Sequence, residues 1–348
     1  MIVGSLFLCR DGTMRCAAFS NMGDPQHRRG ETIKKGVLAA MLASILSLSA
    51  CAAGGKEQTT GTSLHTVQSG SRERVYALHV PPKLPADRPV PLVLMFHGGG
   101  STPDYAERDS GFSALADREQ FLVAYPAAYQ KSWNDGRAVQ SIAAQREGVD
   151  DVAFVAAVID DIARHHHIDP KSIYATGISN GGIFSHYLGA RLASRIAAIA
   201  PVAGGIAELF ADQFAPAAPV AVLLIHGTDD PLVPYAGGAV TVLWPWQRGR
   251  VLGVDASAGR WVTAIGANAS PRLLHALDKL PDDDCRVERR VYDGGKAGTE
   301  VAVYRLVGAG HTWPDGKQYL PSALIGTVCR EFNGAAEIWN FFRHHTKP

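Results

Sequence analysis

An α/β fold, a mostly parallel, doubly wound sheet with helices on both faces, is what this sequence predicts. Three observations carry it: strand-like runs without polar alternation, helical patterns between them, and glycine-rich turns directly after the strands. Residues 91–96 read Pro-Leu-Val-Leu-Met-Phe, the composition of a strand buried on both sides. Residues 121–126 and 219–225 read the same way, and 172–176 is a shorter β-rich run. Between them, 151–166 is helical, with Val152, Val155, Ala156, Ile159 and Ile162 along one face and Asp160 and Asp161 opposite. A late strand spans 301–307 and a closing helix 335–344. In such a sheet ligands sit at the carboxyl ends of the strands, and each candidate below falls just after one.

Gly177-Ile178-Ser179-Asn180-Gly181 is the most informative stretch. A strand precedes it, and Ile183, Phe184, Tyr187, Leu188 and Leu192 follow with helical spacing, which is the strand, turn and helix context of a nucleophile elbow. A serine lifted on a tight turn needs neighbours without side chains, and the helix starting there aims its N-terminal dipole at the reacting oxygen.

A serine hydroxyl is nearly inert at neutral pH until a histidine takes its proton, and a buried carboxylate holds that histidine. His311, in Gly308-Ala309-Gly310-His311, follows the late strand. His226-Gly227-Thr228-Asp229-Asp230 follows the 219–225 strand and offers two acids. Asp230 is favoured on its spacing from His226 and the extended bias imposed by Pro231, leaving Asp229 to the turn and His226 to a structural hydrogen bond. His97-Gly98-Gly99-Gly100 supplies backbone N–H groups for an oxyanion, with Gly99 preferred to Gly100 and the Asn180 N–H as second donor. Trp133 and Trp313 lie in Gly/Pro-rich loops and are candidate walls for substrate. Flat walls predict a preference for esters with planar or sugar groups over long-chain lipid esters. The 235–261 stretch, interrupted by Arg248, Arg250 and glycines, does not read as a lipase lid.

The first 51 residues read as an export signal: Arg28, Arg29, Lys34 and Lys35, a short apolar run, then Leu48-Ser49-Ala50-Cys51. That tetrapeptide resembles the lipobox of bacterial lipoproteins, in which the cysteine is lipidated, so a membrane surface is the expected partner of the N-terminus. Met22 is an alternative start. Residues 52–71, rich in Gly, Thr, Ser and Gln, read as a flexible tether, leaving 72–348 as one catalytic domain. Cys285 and Cys329 are an even pair in an exported body and are expected to bridge. With 34 Lys and Arg against 33 Asp and Glu, no basic face for nucleic acid is expected. His165-His166-His167 reads as a helix terminus rather than a metal site, and Asp282-Asp283-Asp284 as a turn. No metal or other cofactor is expected.

These segments together resemble secreted esterases of the α/β-hydrolase class grouped with polyhydroxybutyrate depolymerases and feruloyl or acetyl xylan esterases. The resemblance covers about residues 72–345 and rests on Phe96-His97-Gly98-Gly99, Ser132-Trp133-Asn134, Ile168-Asp169-Pro170, the Gly-Ile-Ser-Asn-Gly-Gly elbow, Ala200-Pro201-Val202-Ala203-Gly204, His226-Gly227-Thr228 and Gly310-His311-Thr312-Trp313-Pro314. It implies Ser179 as nucleophile, Asp230 as acid, His311 as base, and oxyanion donors near Gly99 and Asn180. Ala309 departs from the family's usual glycine. The implied substrate is a small or oligomeric ester; a silent binding lipoprotein and a serine peptidase are the competing readings, separated by active-serine labelling and by ester against peptide turnover.

Overall fold

The structure, a computed structural model, describes residues 60–243, 246–280 and 283–348. The export signal, Cys51 and Asp282 lie outside the described residues. The strands are β1 (Gly61–Ser69), β2 (Arg72–Val80), β3 (Val90–Phe96), β4 (Leu122–Pro126), β5 (Ile168–Ile178), β6 (Ala198–Val202), β7 (Ala221–Gly227), β8 (Gly237–Leu243), β9 (Trp246–Leu252), β10 (Arg272–Leu277), β11 (Arg286–Tyr292) and β12 (Val301–Val307). Ten form one sheet in the order β1-β2-β4-β3-β5-β6-β7-β12-β11-β10, while β8 and β9 make a separate hairpin. From β4 to β12 every neighbouring pair is parallel. Antiparallel pairs extend the sheet on both flanks.

Strand β3 shows why its sequence lacks alternation. Leu92, Leu94 and Phe96 enter one core with Phe154, Val158 and Ile183 of the helices Asp151–His165 and Asn180–Arg191. Val93 and Met95 point the other way, into a core with Phe112, Leu115, Ile338 and Phe342 of the helices Phe112–Glu119 and Gly334–Phe342. Successive side chains of a strand point to opposite faces, so two covered faces require apolar residues at every position. Each such buried side chain contributes roughly 1.5–3 kcal/mol of transfer free energy.

Two expectations need correction here. Residues 52–71 are not a tether throughout, because 61–69 form β1, paired along its whole length from Gly61 opposite Val80 to Ser69 opposite Arg72. Ser63, His65 and Val67 turn inward while Thr62, Leu64, Thr66 and Gln68 are exposed, the period of a one-sided edge strand whose polar residues mimic a linker. His65 stacks on Tyr76 with ring centroids 5.1 Å apart. The folded body therefore begins before residue 72. Asp161, expected on the solvent face of its helix, is instead buried and accepts the Tyr76 hydroxyl at 2.5 Å.

Cys285 and Cys329 form a disulfide across 44 positions. In the chain-entropy model, closing a loop of that length stabilises the fold by about 4 kcal/mol.

Candidate active site

Strand β5 ends at Ile178 and the next helix begins at Asn180, so Ser179 alone makes the turn, at φ 59° and ψ −122°. A non-glycine residue with positive φ is strained and persists only where its surroundings enforce it. Close packing does so here: a Cβ on Gly177 would lie 2.6 Å from the Phe96 carbonyl oxygen, and one on Gly181 2.3 Å from the same atom. The Ser179 N–H donates to the Val202 carbonyl at 3.0 Å, and its own carbonyl accepts from Ile183 at 2.8 Å.

The turn after β7 carries the acid. Asp230 is buried, and its Oδ1 accepts the N–H groups of Leu232 and Val233, each at 2.8 Å. Its Oδ2 lies 2.7 Å from His311 Nδ1 and 3.3 Å from His226 Nε2. Burial by itself would raise this carboxyl's pKa, but the two histidines outweigh burial and hold it well below the usual carboxylate range. His226 Nε2 also lies 2.8 Å from the Val233 carbonyl, whereas Asp229 accepts the Thr228 hydroxyl at 2.7 Å. After β12, the His311 N–H donates to the Ile325 carbonyl at 2.6 Å, and the Tyr319 hydroxyl donates to the His311 carbonyl at 3.1 Å. With Nδ1 engaged by Asp230, Nε2 is the nitrogen left to exchange a proton with a substrate or nucleophile.

A cavity of about 990 Å³ opens over these strand ends, bordered by Ser179, Asn180, Gly99, His311, Tyr105 and Trp313 among others. The Gly100 N–H is spent on the Lys131 carbonyl at 2.7 Å, while no backbone carbonyl among the described residues accepts the N–H of Gly99 or Asn180. Asn180 is the first residue of its helix, where N–H groups are free and the dipole favours negative charge. The Tyr105 hydroxyl is buried at the cavity wall and has no hydrogen-bond partner among the described residues.

Trp133 is not a wall of this cavity, contrary to the expectation for a flat aromatic in a loop. It is fully buried, stacked on Phe184 at 4.9 Å between centroids and edge-on to Phe96, and its indole N–H donates to the His97 carbonyl at 2.9 Å. Replacing it with alanine is therefore expected to cost about 3–5 kcal/mol of stability. Chemical denaturation measures this, and a variant as stable as the parent would contradict the packing role. Trp313 does border the cavity, although it is mostly buried and packs edge-on against Phe112.

Sequence reasoning missed a buried ionic cluster behind the elbow. The Asn180 side chain accepts the Trp133 N–H at 2.7 Å and donates to Asp135 Oδ2 at 2.6 Å. Asp135 is held in turn by Arg137 at 2.7 Å and by Gln145 at 2.8 Å. A fully satisfied network of this kind fixes the Asn180 backbone at the residue following the serine. The available signal was Asp135 and Arg137 flanking Gly136 directly after Trp133, but charged residues in loops ordinarily face water.

Two buried histidines set an acid limit. Burial lowers His97 to about 4, with Lys131 adding to the effect and the Gly98 carbonyl opposing it. Burial likewise lowers His186, whose Nδ1 accepts the Trp261 indole N–H, to about 3. A histidine with a depressed folded pKa binds its proton more readily when unfolded, so its contribution is complete above pH ~6.5 and is lost as pH falls toward the folded value. Melting temperature is expected to drop steadily between about pH 6.5 and 4. A flat profile over that window would refute the assignment of both rings as buried and neutral.

The sheet, with this elbow at the carboxyl ends of its parallel strands, defines the class: an α/β-hydrolase. Residues 74–242 match the family model described as esterase PHB depolymerase, a segment holding Ser179 and Asp230 and ending before His311. Over those residues, a little under half of its length, the chain is similar to that esterase family. It is 30% identical over 240 residues to feruloyl esterase B of Piromyces equi, covering 66% of this chain and 41% of that protein. It is 28% identical over 265 residues to feruloyl esterase C of Emericella nidulans, covering 74% and 88% respectively. Among solved structures, a dienelactone hydrolase-like promiscuous phosphotriesterase from metagenomic libraries superposes with a TM-score of 0.51 at 16% identity, covering 82% of this chain and all of that one, a likeness of fold. The matched family and these relatives are named esterases.

Proposed function

We propose that the protein is an exported serine carboxylic-ester hydrolase in which Ser179 attacks the ester carbonyl, His311 takes and returns the proton, and Asp230 orients the imidazole. The observation that carries this reading is the 2.7 Å contact between buried Asp230 and Nδ1 of His311, which borders the same cavity as Ser179. In the first half-reaction Ser179 Oγ bonds to the carbonyl carbon as its proton passes to His311 Nε2. Collapse of the tetrahedral intermediate then breaks the ester C–O bond, and the alcohol leaves with that proton. Water repeats the sequence on the acyl-enzyme and releases the acid. The Gly99 and Asn180 N–H groups receive the developing oxyanion, each such donor commonly being worth ~3 kcal/mol.

The substrates proposed are feruloyl or acetyl esters of plant polysaccharide, or hydroxyalkanoate oligomers. Loss of Trp133 from the cavity wall leaves Trp313 and the two tyrosines, Tyr105 and Tyr319, as the aromatic surface toward a planar group. The disulfide supports an oxidising compartment, hence export. A lipid on Cys51 belongs to the same proposal, and the mass of the mature N-terminal peptide reads it. The deciding experiment measures kcat/KM on methyl ferulate, acetylated xylan oligomers, hydroxybutyrate oligomers and an acyl chain-length series. Higher values on the short, planar or hydroxylated esters are expected; a maximum on long acyl chains would overturn the substrate reading.

A further inference from the structure

We propose that the cavity selects esters bearing a carboxylate, and that Arg248 is the group that recognises it. The inference rests on the esterase reading above and specifies the substrate of that same site.

The charges bordering the cavity are unequal in their freedom. Arg137 is saturated by Asp135, with both side chains almost fully buried. Arg108 pairs with Asp104 on the exposed face of its helix. Asp109, raised in pKa chiefly by burial, accepts the Lys317 N–H at 3.2 Å. Arg248 also borders the cavity and is half-buried, yet its guanidinium makes no hydrogen bond, ion pair or ring contact among the described residues. Five N–H donors in a rigid fork therefore meet no protein acceptor. The cavity is also bordered by Pro231, Leu232, Val240 and Val242, the two valines on the strand paired with that of Arg248, and none of the four offers an anionic side chain.

This arginine is also positioned. Its backbone carbonyl accepts Arg137 Nη1 at 2.7 Å, which links it through Asp135 to Asn180, the residue after the nucleophile. The next residue, Gly249, has φ 76°, and a Cβ there would sit 2.8 Å from Val139 Cγ2, so the β8–β9 hairpin is pressed against the loop that carries Arg137. A planar guanidinium on an anchored backbone, bordering a cavity with apolar residues in its wall, matches a carboxylate, bidentate and charge-assisted. The chemistry of the site supplies such ligands, because every cleavage of an oligoester leaves a fragment that ends in a carboxylate.

The test compares monomethyl hemiesters of succinic, glutaric and adipic acids with their dimethyl diesters, in the full chain, for the parent protein, Arg248→Gln and Arg248→Glu. In the parent, kcat/KM for the hemiester whose length reaches Arg248 is expected to exceed that of its diester by about tenfold, mainly through KM. The ratio should fall to about one in Arg248→Gln and below one in Arg248→Glu. Diesters matched with hemiesters across the series, or a ratio unchanged by Arg248→Gln, would overturn the inference and leave the esterase reading standing. If the parent hydrolyses neither ester, the ester panel above decides the esterase reading, and calorimetric titration with succinate, glutarate and adipate decides the inference separately. Binding that weakens at least about tenfold in Arg248→Gln supports it, whereas equal or undetectable binding to both proteins overturns it.

Discussion

Ser179→Ala is expected to lower kcat for ester hydrolysis by at least about 10⁴-fold without loss of fold. Alanine keeps the Cβ that already occupies the strained turn and removes just the oxygen, which makes no hydrogen bond to another side chain among the described residues. Gly177 and Gly181 still press against the Phe96 carbonyl, so the elbow keeps its shape. A short-chain aryl ester followed spectrophotometrically, beside a thermal melt, measures both halves of the expectation. Parent-like turnover by the folded variant would remove Ser179 from the mechanism.

The adjacent aspartates should then separate sharply. Asp230→Asn is expected to lower kcat on the order of 10⁴-fold, because an amide facing His311 Nδ1 no longer stabilises the imidazolium and favours the wrong tautomer. Asparagine retains an oxygen that can accept the Leu232 and Val233 N–H groups, so the turn survives. Asp229→Asn should change kcat less than about threefold, since that carboxylate meets the Thr228 hydroxyl rather than a histidine and the amide oxygen can still accept it. Equal losses in the two variants, or a reversed order, would reassign the acid.

What was legible in the sequence follows from how each part is stabilised. Strands β3, β7 and β12 are buried on both faces, and an uninterrupted apolar run leaves them little else to be. The elbow was legible because glycine at Gly177 and Gly181 answers a local steric demand. Strand β1 was not, because its stability comes from pairing with β2 rather than from its own polar residues. Trp133 was misread for a related reason: an aromatic in a loop faces substrate or core according to partners such as Phe184, fifty-one positions away and on another element. The Asp135–Arg137 pair was hidden because nothing in a single chain distinguishes a buried ion pair from a solvated one before the surrounding packing is known.

The Cys285–Cys329 bridge bears on how the turn carrying His311 is braced. Cys329 accepts the Asp315 N–H through its carbonyl, and the segment leading to it supplies Ile325 and Thr327, whose carbonyls hold the backbone of His311 and Gly310. The cross-link thus fastens the far end of the segment that cradles the proposed base. A chain in which the bridge has not formed carries every residue of the proposed site but lacks this brace on the segment that holds the backbone of Gly310 and His311.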